Sequence, residues 1–176
     1  MNIKLIKPNK KYKNSFYNMI QDYTIHNELH FPKYFDREKD SFDDYLNKLK
    51  NLEKGIDLKP GFVPTDFFWL LNGKEEILGS IRFRKELNEF TLNDGGNIGY
   101  DICPSHRKKG YGTLILKLLI KKLNKLYPDS RLLITCEIDN IHSNKIVINN
   151  GGILENTVKS NRTGNMINRY WIDLKV

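Results

Sequence analysis

Apolar residues along the chain switch between two periods. Ile3 and Leu5 alternate with polar neighbours, which reads as a short first strand over Asn2 to Lys7, stopped by Pro8. From Tyr12 to about Leu29 the spacing lengthens, with Phe16, Met19, Ile20 and Tyr23 at helical intervals, until His30-Phe31-Pro32 breaks the helix. A polar loop follows through Asp40. Ser41 followed by Asp44 has the form of an N-cap, and Phe42, Tyr45, Leu46, Leu49 and Leu52 supply one apolar face. Gly55 closes this second helix at its C′ position.

Beyond the rigid loop Pro60 to Thr65, the runs Phe67 to Leu71 and Ile77 to Arg84 flank Asn72-Gly73, the signature of a hairpin. A polar connector and Asp94-Gly95-Gly96 lead into a strand from Asn97 to Cys103. The next helix carries Leu114, Ile115, Leu118, Leu119, Leu123 and Leu126 on one face and Lys117, Lys121, Lys122 and Lys125 on the other; Tyr127-Pro128 ends it. Arg131 to Ile138 is continuously apolar, as expected of a strand covered on both faces. Ser143 to Asn149 forms a short helix closed by Asn150-Gly151-Gly152. Two last strands, Ile153 to Val158 and Asn168 to Leu174, bracket the polar loop Lys159 to Asn165. The order β-α-α-β-β-β-α-β-α-β-β predicts an α+β fold of three layers (α/β/α).

A length of 176 residues, 39% of them hydrophobic, suits a globular chain, and with no linker or repeat the expectation is one domain over residues 1–176. No apolar run approaches the roughly 20 residues of a membrane span, and the opening MNIKLIKPNKKYKN has no hydrophobic signal core, so the expectation is a cytoplasmic protein without membrane contact. Cys103 and Cys136 lie in apolar runs and read as reduced, buried thiols; neither has the spaced partners of a metal site, and no metal is expected. The net charge of +8 raises nucleic-acid binding as a hypothesis. The lysines, however, are spread through the chain, no aromatic cluster is placed for base stacking, and no DNA-binding pattern is present, so a solvated basic surface is the stronger reading. A phosphorylated ligand would still gain from that surface.

Chemistry concentrates at Ile98-Gly-Tyr100-Asp-Ile102-Cys-Pro-Ser-His-Arg107-Lys-Lys-Gly110-Tyr-Gly112-Thr113, a strand, a basic turn and the first turn of a helix. Amides at a helix N-terminus lack intrahelical partners and sit at the positive end of the macrodipole, a ready site for phosphate. The glycines would let an anion approach the backbone, and Arg107, Lys108 and Lys109 add charge. A Gly-x-Gly pair alone is also common in plain strand-to-helix turns.

Arg-x-x-Gly-x-Gly in this setting resembles the acetyl-coenzyme-A signature of the GNAT family of N-acetyltransferases. Asn140-Ile-His-Ser143-Asn-Lys145 with Asn150-Gly151-Gly152 is similar to the family's second block. Phe68-Trp69, Gly95 to Tyr100, Thr135-Cys136 and Arg169-Tyr170-Trp171 resemble one bacterial subgroup. The resemblance covers nearly the whole chain. It implies the GNAT fold, a mixed, mostly antiparallel sheet of about seven strands with four helices, and acetyl-CoA as co-substrate. It implies a backbone contact at Ile102, a pyrophosphate cradle over Arg107, Lys108, Lys109, Gly110, Tyr111, Gly112 and Thr113, and contacts from Asn140 and Ser143 to the arm or adenylate end. Asn140 as a helix cap is an equal alternative. The implied activity is acetyl transfer to a primary amine of a small molecule or peptide by direct attack in a ternary complex, with a homodimer compatible. A catalytically reduced acyl-CoA-binding module and a basic nucleic-acid-binding domain are the competing readings.

Two positions depart from the family. Val147 stands where many members carry a tyrosine general acid, and Asn97 where related sequences often carry histidine. Asn97 cannot serve as a base at neutral pH. Tyr100, Asp101 and Glu137 are the replacement candidates, with Tyr100 and Glu137 as the candidate catalytic pair; alternation puts Tyr100 and Asp101 on opposite faces, so at most one of these two is expected to face the site. As bland alternatives, Tyr100 is a core aromatic and Glu137 a strand-end carboxylate. His106 and His142 read as surface residues. Substrate contacts are expected from the loops His26 to Asp40, with Glu28, Asp36, Glu38 and Asp40, and Lys159 to Arg169, with Lys159, Arg162 and Arg169.

Overall fold

The structure, a computed structural model, describes residues 2–175. Its elements are β1 (Lys4–Ile6), α1 (Lys13–Ile25), α2 (Phe42–Lys54), β2 (Thr65–Leu71), β3 (Ile77–Arg84), α3 (Glu89–Asn93), β4 (Ile98–Ile102), α4 (Tyr111–Leu126), β5 (Arg131–Glu137), α5 (Ile141–Asn149), β6 (Ile153–Lys159) and β7 (Met166–Asp173). The α+β class and the strand count match the expectation. Helix α3 is one more than the sequence pattern predicts. It forms because Asn88 and Thr91 cap each other: the Thr91 amide donates to Asn88 Oδ1 at 2.9 Å and the Asn88 amide to Thr91 Oγ1 at 2.8 Å.

Local chemistry sets the other boundaries. Helix α1 stops at Ile25, short of Leu29, because Asn27 takes a left-handed φ of 62°. Helix α2 carries the expected capping box, with the Asp44 amide on Ser41 Oγ and the Ser41 amide on Asp44 Oδ2, and ends at Gly55 with φ 72°. The hairpin turn is longer than Asn72-Gly73: Asn72 Oδ1 accepts the amides of Lys74 (2.9 Å) and Glu76 (3.0 Å).

Strands β1-β2-β3-β4 form one antiparallel sheet and β5-β7-β6 a second. In place of one continuous mixed sheet, the two meet at the start of β4. There the Asn97 amide donates to Leu133 O at 2.7 Å.

Alternation along β2 divides the core. Phe68 and Leu70 face α4 with Ile81, Phe83, Ile115, Leu119 and Ile134; Phe67, Trp69 and Leu71 face α1 and α2. Phe16 lies at the centre of the second cluster, stacked on Tyr45 at 5.0 Å and on Trp69 at 5.9 Å. Fully burying each such side chain contributes about 1.5–3 kcal/mol. The result is the three-layer arrangement: α1 and α2 on one face, α4 and α5 on the other.

Candidate active site at the opening between two sheets

Asn97 determines where the sheets part. Its Nδ2 donates to Arg84 O (3.0 Å), its Oδ1 accepts the Leu133 amide (2.8 Å), and its own carbonyl accepts the Arg84 amide (2.7 Å). Every hydrogen-bonding group of this buried residue is therefore used for joining, which accounts for an amide where a titrating side chain is the family habit. Beyond this clamp no ladder links β4 to β5 among the described residues.

The β3–β4 register settles which backbone groups are left over. The Arg84 amide bonds Asn97 O and the Cys103 amide bonds Leu78 O, so residues of that parity point toward β3, whereas Tyr100 and Ile102 point toward the opening. Gly79 permits the approach, since a Cβ there would collide with Asp101 O.

A cleft of about 530 Å³ occupies the opening, lined on one side by Tyr100, Asp101, Ile102 and Arg107 to Thr113 apart from Lys109, and on the other by Asn140, Ser143 and Ile146. In the turn, Lys108 has φ 59° and Gly110 φ 80°. These conformations aim successive amides at one place. Among the described residues, the amides of Lys108 through Thr113 have no backbone carbonyl partner, and the first that does is Leu114, on Gly110 O at 3.1 Å. A Cβ at Gly110 would meet nothing within 4 Å, so its glycine serves the positive φ. Gly112 differs: a Cβ there would strike Ile146 Cδ1, so this glycine allows α4 to press against α5.

The predicted residues divide. Tyr100, Ile102, Lys108, Gly110, Tyr111, Gly112, Thr113, Asn140 and Ser143 all line the cleft. Lys109 is directed back, its Nζ donating to Ser105 O at 2.8 Å. The Arg107 guanidinium is held by Glu28 (2.5 and 2.7 Å) and by Ile102 O (2.9 Å), a contact that holds the end of α1 to the turn. The pair raises the Arg107 pKa, and the same bond holds Glu28 below the usual carboxylate range. Asp22 reinforces it by accepting the Ser105 amide at 3.1 Å. Asn140 Oδ1 caps α5 through the Ser143 amide at 3.0 Å.

Tyr100 and Glu137 are not brought together. The Tyr100 hydroxyl lies 2.9 Å from Ser143 Oγ, which also meets Cys136 Sγ at 3.1 Å, and burial pushes the phenol well above its ordinary pKa. Glu137 is exposed, lies outside the cleft, and accepts Asn165 Nδ2 at 3.2 Å. Val147 is fully buried in the core.

Asp101 is the carboxylate at the site. It points away from Tyr100, toward α1, and is 6% exposed. Its Oδ2 accepts the Tyr23 hydroxyl at 2.7 Å, Ser80 Oγ donates to it at 3.0 Å, and Arg82 Nη1 stands 3.9 Å from Oδ1. Burial raises the Asp101 pKa, opposed by Arg82 and the two hydroxyls. The sequence names Asp101 but gives little sign of Tyr23 and Arg82, which come from 78 and 19 positions away. The one available signal is Ser80-x-Arg82-x-Arg84, polar residues on one face of an otherwise apolar strand. Among the described residues no group of side chains could hold a metal ion, and no helix is long and apolar enough to cross a membrane.

Comparison with known proteins agrees with this geometry. Residues 3–153 match the family model described as an acetyltransferase (GNAT) domain. A ribosomal-protein-serine acetyltransferase of Escherichia coli K12 is 33% identical over 86 residues, a stretch spanning 49% of this chain and 46% of that protein. The acetyltransferase from Salmonella typhimurium that modifies the N-terminal serine of ribosomal protein L7/L12 superposes with a TM-score of 0.69 at 16% identity, over 98% of this chain and 95% of that one. A Vibrio cholerae spermidine N-acetyltransferase, solved with CoA and spermine, superposes with a TM-score of 0.64 at 14% identity, over 98% and 95%. At these identities the superpositions establish the fold.

Proposed function

Because the chain belongs to the GNAT acetyltransferase family, we propose that it moves the acetyl group of acetyl-CoA onto a primary amine, acting as a single transferase domain in the cytoplasm. The observation that carries the reading is that Lys108, Gly110, Tyr111, Gly112 and Thr113, whose amides have no backbone carbonyl partner among the described residues, line the same cleft as the open edge of β4. These groups fit a pyrophosphate followed by an amide-bearing arm: the turn would bind the phosphates, and the Tyr100 backbone with the Ile102 amide would bond the arm as an added strand does, the Ile102 carbonyl being held by Arg107. Bound there, acetyl-CoA supplies the activated acyl group. Asn140 and Ser143 line the opposite wall.

The chain's own chemistry lies on the two faces of β4. Asp101, with its pKa raised by burial, is the carboxylate that would take the proton of the attacking amine. This role shifts from Glu137, which lies outside the cleft and is engaged with Asn165. Tyr100 keeps its proton throughout the physiological range and is placed to give it to the departing thiolate. The N–C bond forms as the C–S bond breaks, one proton leaving the amine and one arriving at sulfur. The test is release of free thiol from acetyl-CoA in the presence of a panel of amines and peptides. No release together with no acetyl-CoA effect on the melting temperature would end the proposal.

A further inference from the structure

On the α1 side of β4 the cations outnumber their partners. Arg82 lies across Gly99, where a Cβ would collide with its guanidinium, and its side chain is only 19% exposed. Among the described residues that guanidinium makes no hydrogen bond; its nearest carboxylate oxygen is Asp101 Oδ1 at 3.9 Å. Its donors therefore remain open to a ligand, in a fixed fork that matches a carboxylate or a phosphate. Lys33 stands beside it, its Nζ 4.7 Å from the Phe31 ring centroid. Phe31 and Asp101 line the cofactor cleft, while Lys33, Arg82 and Ser80 line a separate recess of about 10 Å³, room for one oxygen-sized group, linked to the cleft residues through the Ser80–Asp101 bond and the Lys33–Phe31 contact.

Asp101 supplies one negative charge against the two cations Arg82 and Lys33. Its oxygens are engaged by Tyr23 and Ser80. Arg84 is committed to Gly95 O (3.0 Å) and Gly96 O (2.9 Å), and Arg162 reaches Asp94 only at 3.6 Å. The Lys33 pKa is lowered by burial first and by Arg82 next, with Asp101 opposing and Arg162 adding to the shift.

We infer that the acceptor is a small amine carrying an anionic group, a carboxylate or a phosphate, which Arg82 and Lys33 hold while its amine meets Asp101. This rests on the acetyl-transfer reading and specifies its substrate class. Arg82 and Lys33 are specificity residues, since neither touches the reacting atoms. The spacing between Arg82 and Asp101 places anion and amine side by side, as in an amino acid or a phosphorylated amino alcohol. A polycationic amine would place its second charge against Arg82 and Lys33 and be rejected.

The test is thiol release from acetyl-CoA with matched acceptors: glutamate, serine and glycine against their carboxamides, and phosphoethanolamine against ethanolamine, with spermidine as the cationic control. The expected result is a preference of at least about tenfold in kcat/KM for the anionic member, as for hydrogen bonds to a charged group, with spermidine unused. Comparison of the two anionic sets decides between carboxylate and phosphate. Arg82→Gln should bring the ratio to near unity by raising KM for anionic acceptors, with KM for acetyl-CoA unchanged. Lys33→Gln, on a loop, should act in the same direction and serves if Arg82→Gln fails to fold. Neutral members or spermidine used as well as the anionic ones, or a ratio untouched by both variants, would overturn the inference. The same pairs titrated onto CoA-saturated protein by calorimetry keep the two readings apart. Anionic members that bind no tighter than neutral ones contradict the substrate class; thiol release by none contradicts transfer.

Discussion

Asn97 accepts the Leu133 amide on its side-chain oxygen at 2.8 Å, and that bond, with the Asn97 amide on Leu133 O at 2.7 Å, joins two sheets that otherwise separate. Asn97→Ala leaves the Leu133 amide and the Arg84 carbonyl without their partners. The expected loss is about 2–3 kcal/mol of unfolding free energy, measured by urea titration, together with weaker acetyl-CoA binding. Unchanged stability would show that the clamp does not hold the sheets.

Asp101→Asn separates chemistry from stability. Burial raises the Asp101 pKa above its usual value of about 4. The folded state therefore binds this proton more tightly than the unfolded chain does. The stability tied to the protonated form is complete at pH below about 4 and is lost as pH rises through the folded pKa. Asparagine still accepts from Tyr23 and Ser80 and carries no charge to bury. The variant should thus melt at the same or higher temperature at pH 8 while kcat/KM falls by roughly 100-fold or more. The acidic limb of the wild-type pH–rate profile, activity rising as Asp101 loses its proton, should vanish with it. Full activity in the variant would remove Asp101 from the mechanism.

Tyr100→Phe deletes the hydroxyl beside Ser143 Oγ. As a proton donor to the thiolate, Tyr100 predicts a kcat loss of at least about tenfold with little change in KM for acetyl-CoA. A stability loss of about 1 kcal/mol with unchanged kcat is what a structural hydrogen bond alone would give.

Gly112→Ala requires the Ile146 side-chain end to turn aside, a shift partly offset by the better helix propensity of alanine, so the expected loss is at most about 1 kcal/mol. Combined with Ile146→Ala, the loss should be less than the sum of the two single losses. Strict additivity in denaturation midpoints would contradict the close approach of α4 and α5.

The elements were legible because their signals are local: the Ser41 box, the lysine-faced α4 and the glycines at residues 110 and 112 each report on a few neighbours. The basic turn that lines the cleft was legible for the same reason. What escaped depends on contacts between distant positions. Arg107 reads as a phosphate ligand, and the sequence gives no sign that Glu28, 79 positions away, also holds its guanidinium. Asn97 reads as a missing base until Leu133 is seen opposite it. Strand alternation correctly sends Tyr100 and Asp101 to opposite faces, yet only the packing of α1 against β4 shows that the Asp101 face holds Tyr23, Ser80 and Arg82. Glu137 fell outside the cleft because the loop after β6 draws it to Asn165.

The most direct test of the cleft assignment is calorimetric titration with acetyl-CoA of the wild type and of Gly110→Glu. That substitution puts a side chain at φ 80° and a negative charge among the free amides. The predicted result is saturable one-to-one binding to the wild type and binding weakened at least about tenfold in the variant, with the fold intact by circular dichroism. No binding to the wild type, or equal affinity in the variant, would contradict the placement of acetyl-CoA between β4 and β5.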